Sequence, residues 1–536
     1  MRTIKNSLAL LAFAATAARA ADSPDLMIQT RIRQEGLRNS KVMEIAGGLT
    51  DGIGARLTGS PNMKRANEWT RDKLSEFGLS NAHLESWGPF GRGWSYESCS
   101  VRMVTPDIVQ LEALPKAWSP ATSGVVRGKP VKVKLENSAD LEKAKGKLAG
   151  RIVMLGDPAA ARAHNEPELR RYDTKELEDL AQYDITTRSR FTPEESARRR
   201  RFRGELAKFL ADEKALVAIE DGRDDFGTMI VQQSGSPKPD EPQGIPTITI
   251  SSEHYGRIAR LLDAGKDVEV EVDVHTTFYD QDPNAYNTIA EIPGSDRKGE
   301  VVMLGAHLDS WHAGTGATDN GAGVAATMEA VRILKAIGVV PKRTIRIALW
   351  SGEEQGLLGS RAYVTQHFGK RAEPKDPKQR DLPSFLRTEK TAIEAKPEHA
   401  KLSAYFNFDN GTGRIRGIYA QSNAAVVPIF ESWIAPLHDL GVTTVTMRNT
   451  GSTDHVPFDA VDLPGFQFIQ DEVEYETRTH HTNEDTYERL QKEDLMQAAT
   501  VLATFVWEAA NRPEMMPRKP LSQPELPVSA TAATPH

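Results

Sequence analysis

Apolar positions fall into distinct patterns along the chain. Leu8 to Ala18 form an apolar run after Arg2 and Lys5, and Ala18-Arg19-Ala20 precede Ala21-Asp22. That order predicts a secretory signal peptide over 1–20, removed from the mature chain. The run is too short to span a bilayer, and no later stretch is long and apolar enough to do so. Ala66, Trp69, Leu74 and Phe77 then follow helical spacing up to Gly78, and Ala82 to Trp87 reads as a strand. Residues 21–119 are therefore expected to begin an α/β domain.

From 120 to 283 the texture changes to short β-rich runs: Val131–Leu135, Arg151–Leu155, Leu216–Ile219, Pro246–Ile250 and Val268–Val274. These predict an inserted β-rich domain. It is interrupted by a charged stretch, 162–213, whose basic run Arg198 to Arg203 predicts a helical excursion with a solvated face or a mobile arm. Strand and helix patterns return over 284–512, the main part of the α/β domain. Within it, Lys370 to Pro397 is dense in Lys, Pro and Glu and predicts a surface loop. The Pro- and Ala-rich 513–536 predicts a disordered tail. The fold class is thus α/β, a doubly wound mixed sheet with a β-rich insert.

A length of 536 residues exceeds what one core sustains, in keeping with two domains. The formal charge of −7 becomes −10 once Arg2, Lys5 and Arg19 are removed, which argues against a nucleic-acid partner. Cys99 is the single cysteine, so no internal disulfide forms, and no His-rich context activates it as a nucleophile.

The chemistry lies where apolar strands end. Val301 to Ala306 lead to His307-Leu308-Asp309, with residues two apart on one side of a strand, so Asp309 is placed to accept a hydrogen bond from His307. Gly314 to Gly323 deliver Asp319 at the start of a helix. Ile345 to Trp350 lead to Glu353-Glu354, adjacent carboxylates that repel unless a cation lies beside them. Ala404 to Phe408 deliver Asp409, and Phe466 to Ile469 precede His480-His481. In an open parallel sheet such strand ends converge. Counting donors gives two matched metal sites sharing Asp319: His307 and Asp409 on one ion, Glu354 and His481 on the other. Nitrogen and carboxylate donors without thiolate suit two Zn2+ ions, with cobalt or manganese tolerated. Glu353 is left to take a proton from the attacking water.

These motifs resemble the co-catalytic di-zinc aminopeptidase family, which also holds glutamate carboxypeptidases and transferrin receptors. The resemblance rests on His307-x-Asp309, Thr318 to Gly323, Glu353 to Ser360, and His481-Thr482 with Asp485-Thr486. Asp309-Ser310-Trp311 and the doubled His480-His481 are similar to the plasma glutamate carboxypeptidase branch. Gly54 to Ser60 is similar to a segment near the start of such enzymes, and Gly451 to His455 to a loop near the substrate. Gly146 to Val153 with Ile245-Pro246 resembles a protease-associated domain.

The resemblance implies a zinc aminopeptidase-like fold. It places Glu353 as base, Asp309 and Asp485 as residues orienting the ligands, and His480 where many relatives carry a Tyr contacting the oxyanion or substrate. The expected activity is aminopeptidase or dipeptidase action on a peptide, in a secreted or periplasmic protein, with homodimerisation left open. Carboxypeptidase action on acidic C-terminal residues is the alternative. A non-catalytic binding or receptor module is the rival of another class, and it should have lost ligands or base, all of which are present here.

Overall fold

In the computed structural model, which describes residues 23–160, 163–183, 193–380, 387, 389 and 391–519, the apolar runs lie side by side in one eight-stranded sheet. Its strands in chain order are β1 (Ser80–Trp87), β2 (Ala285–Ile292), β3 (Arg297–His307), β4 (Arg343–Trp350), β5 (Leu402–Asn407), β6 (Ile415–Tyr419), β7 (Thr444–Thr446) and β8 (Gly465–Gln470). Their spatial order is β1-β2-β4-β3-β5-β8-β6-β7. The central four, β4-β3-β5-β8, are parallel, whereas β1 and β2 run antiparallel at one side and β6 pairs antiparallel with β8 at the other.

The central strands read as continuous apolar runs because both faces are covered. Val302, Leu304 and Ala306 of β3 pack with the helices Ala322–Ala336 and Lys492–Asn511. Met303 points the other way, with Ala348, Trp350 and Tyr405, against the helix Leu358–His367. The helix expected before Gly78 spans Pro61–Glu76, with Ser60 capping its N-terminus.

The inserted region builds two further sheets around a shared core that includes Val101, Ile152, Ile219, Ile248 and Val272. One has four strands, in the order Val109–Leu111, Gly93–Thr105, Glu269–Tyr279, Val126–Gly128. Gly93–Thr105 lies upstream of the expected boundary at 120. It joins this sheet because its full length pairs with Glu269–Tyr279. The other sheet has five strands, and its four from Pro130–Val133 to Thr247–Ile250 are parallel. Cys99 sits in the first of these sheets, and burial pushes its thiol up to about 12.

The charged excursion differs from a solvated arm over 163–183. The backbones of Arg170 and Val473 exchange hydrogen bonds of 2.8 and 2.7 Å. Arg171 pairs with the buried Asp471 and Asp494 at 3.1 and 2.6 Å. Its helix Pro193–Asp212 lays Phe202, Leu206, Phe209 and Leu210 on the outer face of the five-stranded sheet. Lys370 to Pro397 begins and ends in a two-stranded ribbon, Gly369–Arg371 with Ile393–Ala395. The expected signal segment 1–20 and the tail beyond 519 lie outside the described residues. Among the described residues no helix is long and apolar enough to cross a membrane.

Candidate metal centre

Strand register decides what meets at the sheet edge. His307 is level with Trp350, and Gly305 with Asn407, so residues just past β3, β4 and β5 emerge together. The loop after β3 turns at Gly316, where φ is +64° and a Cβ would collide with the Ser310 side chain. Asp319 comes next on that loop.

The structure brings the five expected ligands into one cluster, with His307, Asp319 and Asp409 buried and His481 half-buried. His307 Nε2 lies 3.2 Å from Asp319 Oδ1 and 3.4 Å from Asp409 Oδ1. His481 Nε2 lies 3.2 Å from Asp319 Oδ2 and 3.0 Å from Glu354 Oε2. Asp319 thus turns one oxygen to each imidazole. His480 stands farther off, 4.0 Å from Asp319 Oδ2, with its ring stacked on Tyr475.

The electrostatics are those of crowded anions. Burial raises the Glu353 carboxyl well above its ordinary range, with Asp409, Asp454 and Glu354 adding to the shift against the opposing His307. Burial also raises Glu354, again with Asp319 adding to it and His481 opposing. For His307 burial acts downward, but Asp409 and Glu353 prevail and hold its pKa well above the usual value. Three buried carboxylate oxygens, Asp319 Oδ2, Glu354 Oε1 and Asp409 Oδ1, meet no hydrogen-bond donor among the described residues. Orphaned anionic oxygens beside two imidazole nitrogens are costly in a dry site and fit divalent cations. These residues therefore suit the metal group the sequence implies.

The supporting contacts differ in part from expectation. His307 Nδ1 is 2.9 Å from the backbone carbonyl of Asp309, while the carboxylate stands 3.7 Å away. Backbone geometry at the strand end brings the carbonyl closer. The Asp309 carboxylate instead accepts from the Thr58 hydroxyl at 2.9 Å and from the amides of Glu353 and Glu354 at 3.2 and 3.3 Å. It therefore fixes the turn that carries both glutamates. Asp485 accepts from Thr318 and from the Asp319 amide, at 2.6 to 3.1 Å, and holds the loop of the shared carboxylate.

Sequence reasoning missed three contributors. Arg56, fully buried, donates to the carbonyls of Leu308, Thr315 and Gly316 and ties the loop after β3 together. Its segment Gly54 to Ser60 stands out in the sequence, but the contacts it makes do not. Tyr475 lies beneath His480, and no strand-end pattern announces it. Gln232 comes from the insert: its side-chain amide is 3.0 Å from His481 Nδ1. The Val231 N–H also donates to the His481 carbonyl at 3.1 Å, steadying a residue with φ of +63°.

A parallel-sheet edge that gathers two imidazoles and three carboxylate oxygens lacking hydrogen bonds among the described residues is a candidate metal centre. Residues 287–506 match the model of Peptidase family M28, and with the relatives that follow this match supports a metallo-exopeptidase. Carboxypeptidase Q of Rattus norvegicus is 27% identical over 484 residues, covering 90% of this chain and 88% of that protein. A Peptidase M28 precursor from Shewanella amazonensis SB2B is 25% identical, covering 93% of this chain and 98% of that one, with a TM-score of 0.65. BSAP, a zinc aminopeptidase from Bacillus subtilis, shares the fold at a TM-score of 0.54 and 19% identity, over 88% of this chain and 94% of its own.

Proposed function

We propose that the chain is an exported exopeptidase carrying two zinc ions, acting as an aminopeptidase or dipeptidase. The observation that carries the reading is Asp319, whose two oxygens each lie 3.2 Å from a different imidazole. His307, Asp319 and Asp409 would hold one ion, and Asp319, Glu354 and His481 the other. When bound, such ions lower the pKa of an attacking water and polarise the scissile carbonyl.

Glu353 takes the proton from that water and returns it to the leaving amine. The upward shift that burial gives its carboxyl has the direction a proton carrier needs. Asp309 orients the turn bearing Glu353 and Glu354, and Asp485 orients Asp319. His480 is assigned to the substrate or oxyanion contact, since it sits beside the shared carboxylate without being closest to it. The apolar run and small-residue site near the N-terminus support export, and Gly146 to Val153 supports a protease-associated type of lobe. The name of the rat relative, Carboxypeptidase Q, favours carboxypeptidase action as the second reading.

The test is elemental analysis joined to hydrolysis of free, N-acetylated and C-amidated dipeptides. Two zinc equivalents and chelator-sensitive cleavage that needs the free amine are expected. Cleavage that tolerates acetylation but needs the free carboxylate selects the second reading. Chelator-resistant activity, or no bound transition metal, defeats both.

A further inference from the structure

A closed ring of contacts ties the loop carrying His481 to the inserted lobe. Arg478 donates to the Glu168 carboxylate through Nε at 3.0 Å, and the Thr477 hydroxyl donates to the Glu168 carbonyl at 2.8 Å. Four positions earlier, His164 Nδ1 lies 2.8 Å from the Glu168 carboxylate, and its Nε2 lies 2.6 Å from Asp225. Asp225 belongs to the loop 222–229 of the lobe, which leads back to the start. There the Met229 amide donates to Asn483 Oδ1 at 2.6 Å, and Asn483 Nδ2 donates to the Gly227 carbonyl at 3.2 Å.

Geometry fixes the chemistry of the His164 link. Each ring nitrogen faces a carboxylate oxygen. A neutral imidazole has one N–H and satisfies one of the two carboxylates, whereas the imidazolium has two and satisfies both. Both separations are shorter than the 3.0 to 3.4 Å between facing atoms of the metal centre, so direct charge-assisted hydrogen bonds account for them better than a shared ion. The groups around the imidazole are mostly acidic. Asp224 accepts from the Asp225 amide at 3.0 Å, Glu168 turns its second oxygen to Arg478, and Glu474 lies 4.0 Å from that arginine. Phe226 adds a ring 5.1 Å from the imidazole. The hydrogen bond to Asp225, with Glu168 adding to it, raises the His164 pKa above its ordinary 6.5 against the opposing effect of desolvation. The side chain is 28% exposed, so solvent protons reach it.

Loop 222–229 needs such a restraint. Arg223 and Phe226 have φ of +65° and +53°, and Phe226 is 72% exposed. A bulky side chain seldom keeps that backbone unaided.

We propose that His164 is a pH-responsive clamp: when charged it joins the inserted lobe to the His481 loop through Asp225 and Glu168, and when neutral it releases one carboxylate and opens the ring. Because folding raises the pKa, the clamp's contribution is whole below 6.5 and lost as pH rises through the higher folded value. The carboxylate and guanidinium links keep their charge over that range. The device stands apart from the exopeptidase reading, whichever peptide the chain cleaves.

Hydrogen exchange of the full chain tests the clamp without any substrate. Peptides covering 163–173 and 222–230 are followed by mass spectrometry, with each rate divided by the intrinsic rate at that pH. Between about pH 6 and about pH 9 both are expected to lose protection about tenfold, the scale of one charge-assisted hydrogen bond at a partly exposed site, while peptides from β3 to β5 keep theirs. The midpoint should lie above 6.5. His164→Asn should show low protection at every pH and no step. Asp225→Asn, which removes the partner that raises the pKa most, should move the midpoint down. A parent profile without a step, or a step that His164→Asn leaves intact, overturns the clamp. Should His164→Asn melt early, Asp225→Asn decides: a lower midpoint upholds the clamp and an unchanged one overturns it.

Discussion

Gln232→Leu isolates what the inserted lobe contributes to the metal centre. An imidazole that binds a cation through Nε2 carries its remaining proton on Nδ1, and that N–H needs an acceptor. Gln232 is the side chain there, at 3.0 Å, and its terminal amide can turn over to present Oε1 with little change of shape. Leucine keeps the volume and removes the acceptor. Loss of one neutral hydrogen bond costs about 0.5–1.5 kcal/mol. Outer partners of ligating histidines are worth about 10- to 100-fold in metal affinity. The contact here is half-buried, and the backbone bond from Val231 to the His481 carbonyl survives the change, so the low end, about tenfold, is expected.

Competition against a chromophoric zinc chelator measures it. Gln232→Leu should weaken one zinc equivalent about tenfold with the melting point of the metal-free protein unchanged. Gln232→Glu, which still accepts, should restore the affinity. Equal zinc affinity in all three proteins would refute the reasoning, as would a loss in Gln232→Leu that the metal-free melting point fully accounts for.

Three further outcomes rest on other contacts. Glu353→Gln should keep both zinc equivalents and lose turnover by about 100-fold or more, whereas Glu354→Gln should load its second zinc poorly and recover at high zinc; metal content and kcat together would expose reversed roles. Glu508 has its carboxyl raised to about 7, chiefly by burial, from an ordinary 4.5, so its stabilising contribution is whole below 4.5 and lost as pH rises through about 7. Glu508→Gln, which can still accept from Gln29 and the Asp25 amide, should therefore be more stable than the parent at pH 8 by on the order of 1–3 kcal/mol and equal to it near pH 4, by urea unfolding. Arg171→Ala should lower stability by about 1–3 kcal/mol and expose 163–183 to proteolysis, because Asp471 and Asp494 are left with Arg416 and Arg414 as their cationic partners among the described residues.

The legible part of the sequence is the part in which neighbours along the chain are also neighbours in space. Strands β3, β4 and β5 are covered on both faces, so burial writes them as unbroken apolar runs, and the residues just beyond each run must lie at one edge. His307, Asp319, Glu353, Glu354 and Asp409 can therefore be placed from local pattern alone. Gly93–Thr105 cannot be assigned to its sheet in this way, because its partner Glu269–Tyr279 lies more than 150 positions onward and polar residues alternate through it. Asp309 shows a subtler failure. Period-two geometry puts it on the His307 side of the strand, but the carbonyl of the same residue reaches Nδ1 first, and the carboxylate serves amides past β4 instead. Gln232 leaves no local signal at all, since a lone glutamine in a loop acquires meaning only from the imidazole it meets.

The loop that carries His481 is gripped from both flanks by the inserted region. On one flank Ile230 bridges Thr482, the Val231 amide meets the His481 carbonyl, and the Met229 backbone exchanges hydrogen bonds with Asn483. On the other, Arg170 pairs with Val473 at the loop's start. His481 has no strand of its own to hold it, as β3 holds His307, and its φ of +63° is a conformation a histidine seldom keeps unaided. The contacts from the insert supply that restraint. A shift of the lobe toward or away from the sheet edge would then move a proposed metal ligand and resize the cavity of about 600 Å³ between the two, because Gln232 lines that cavity and touches His481 at once. The cavity and the geometry of the His481 site are therefore coupled through a single segment, 229–234. Substitutions there should change zinc affinity and KM together.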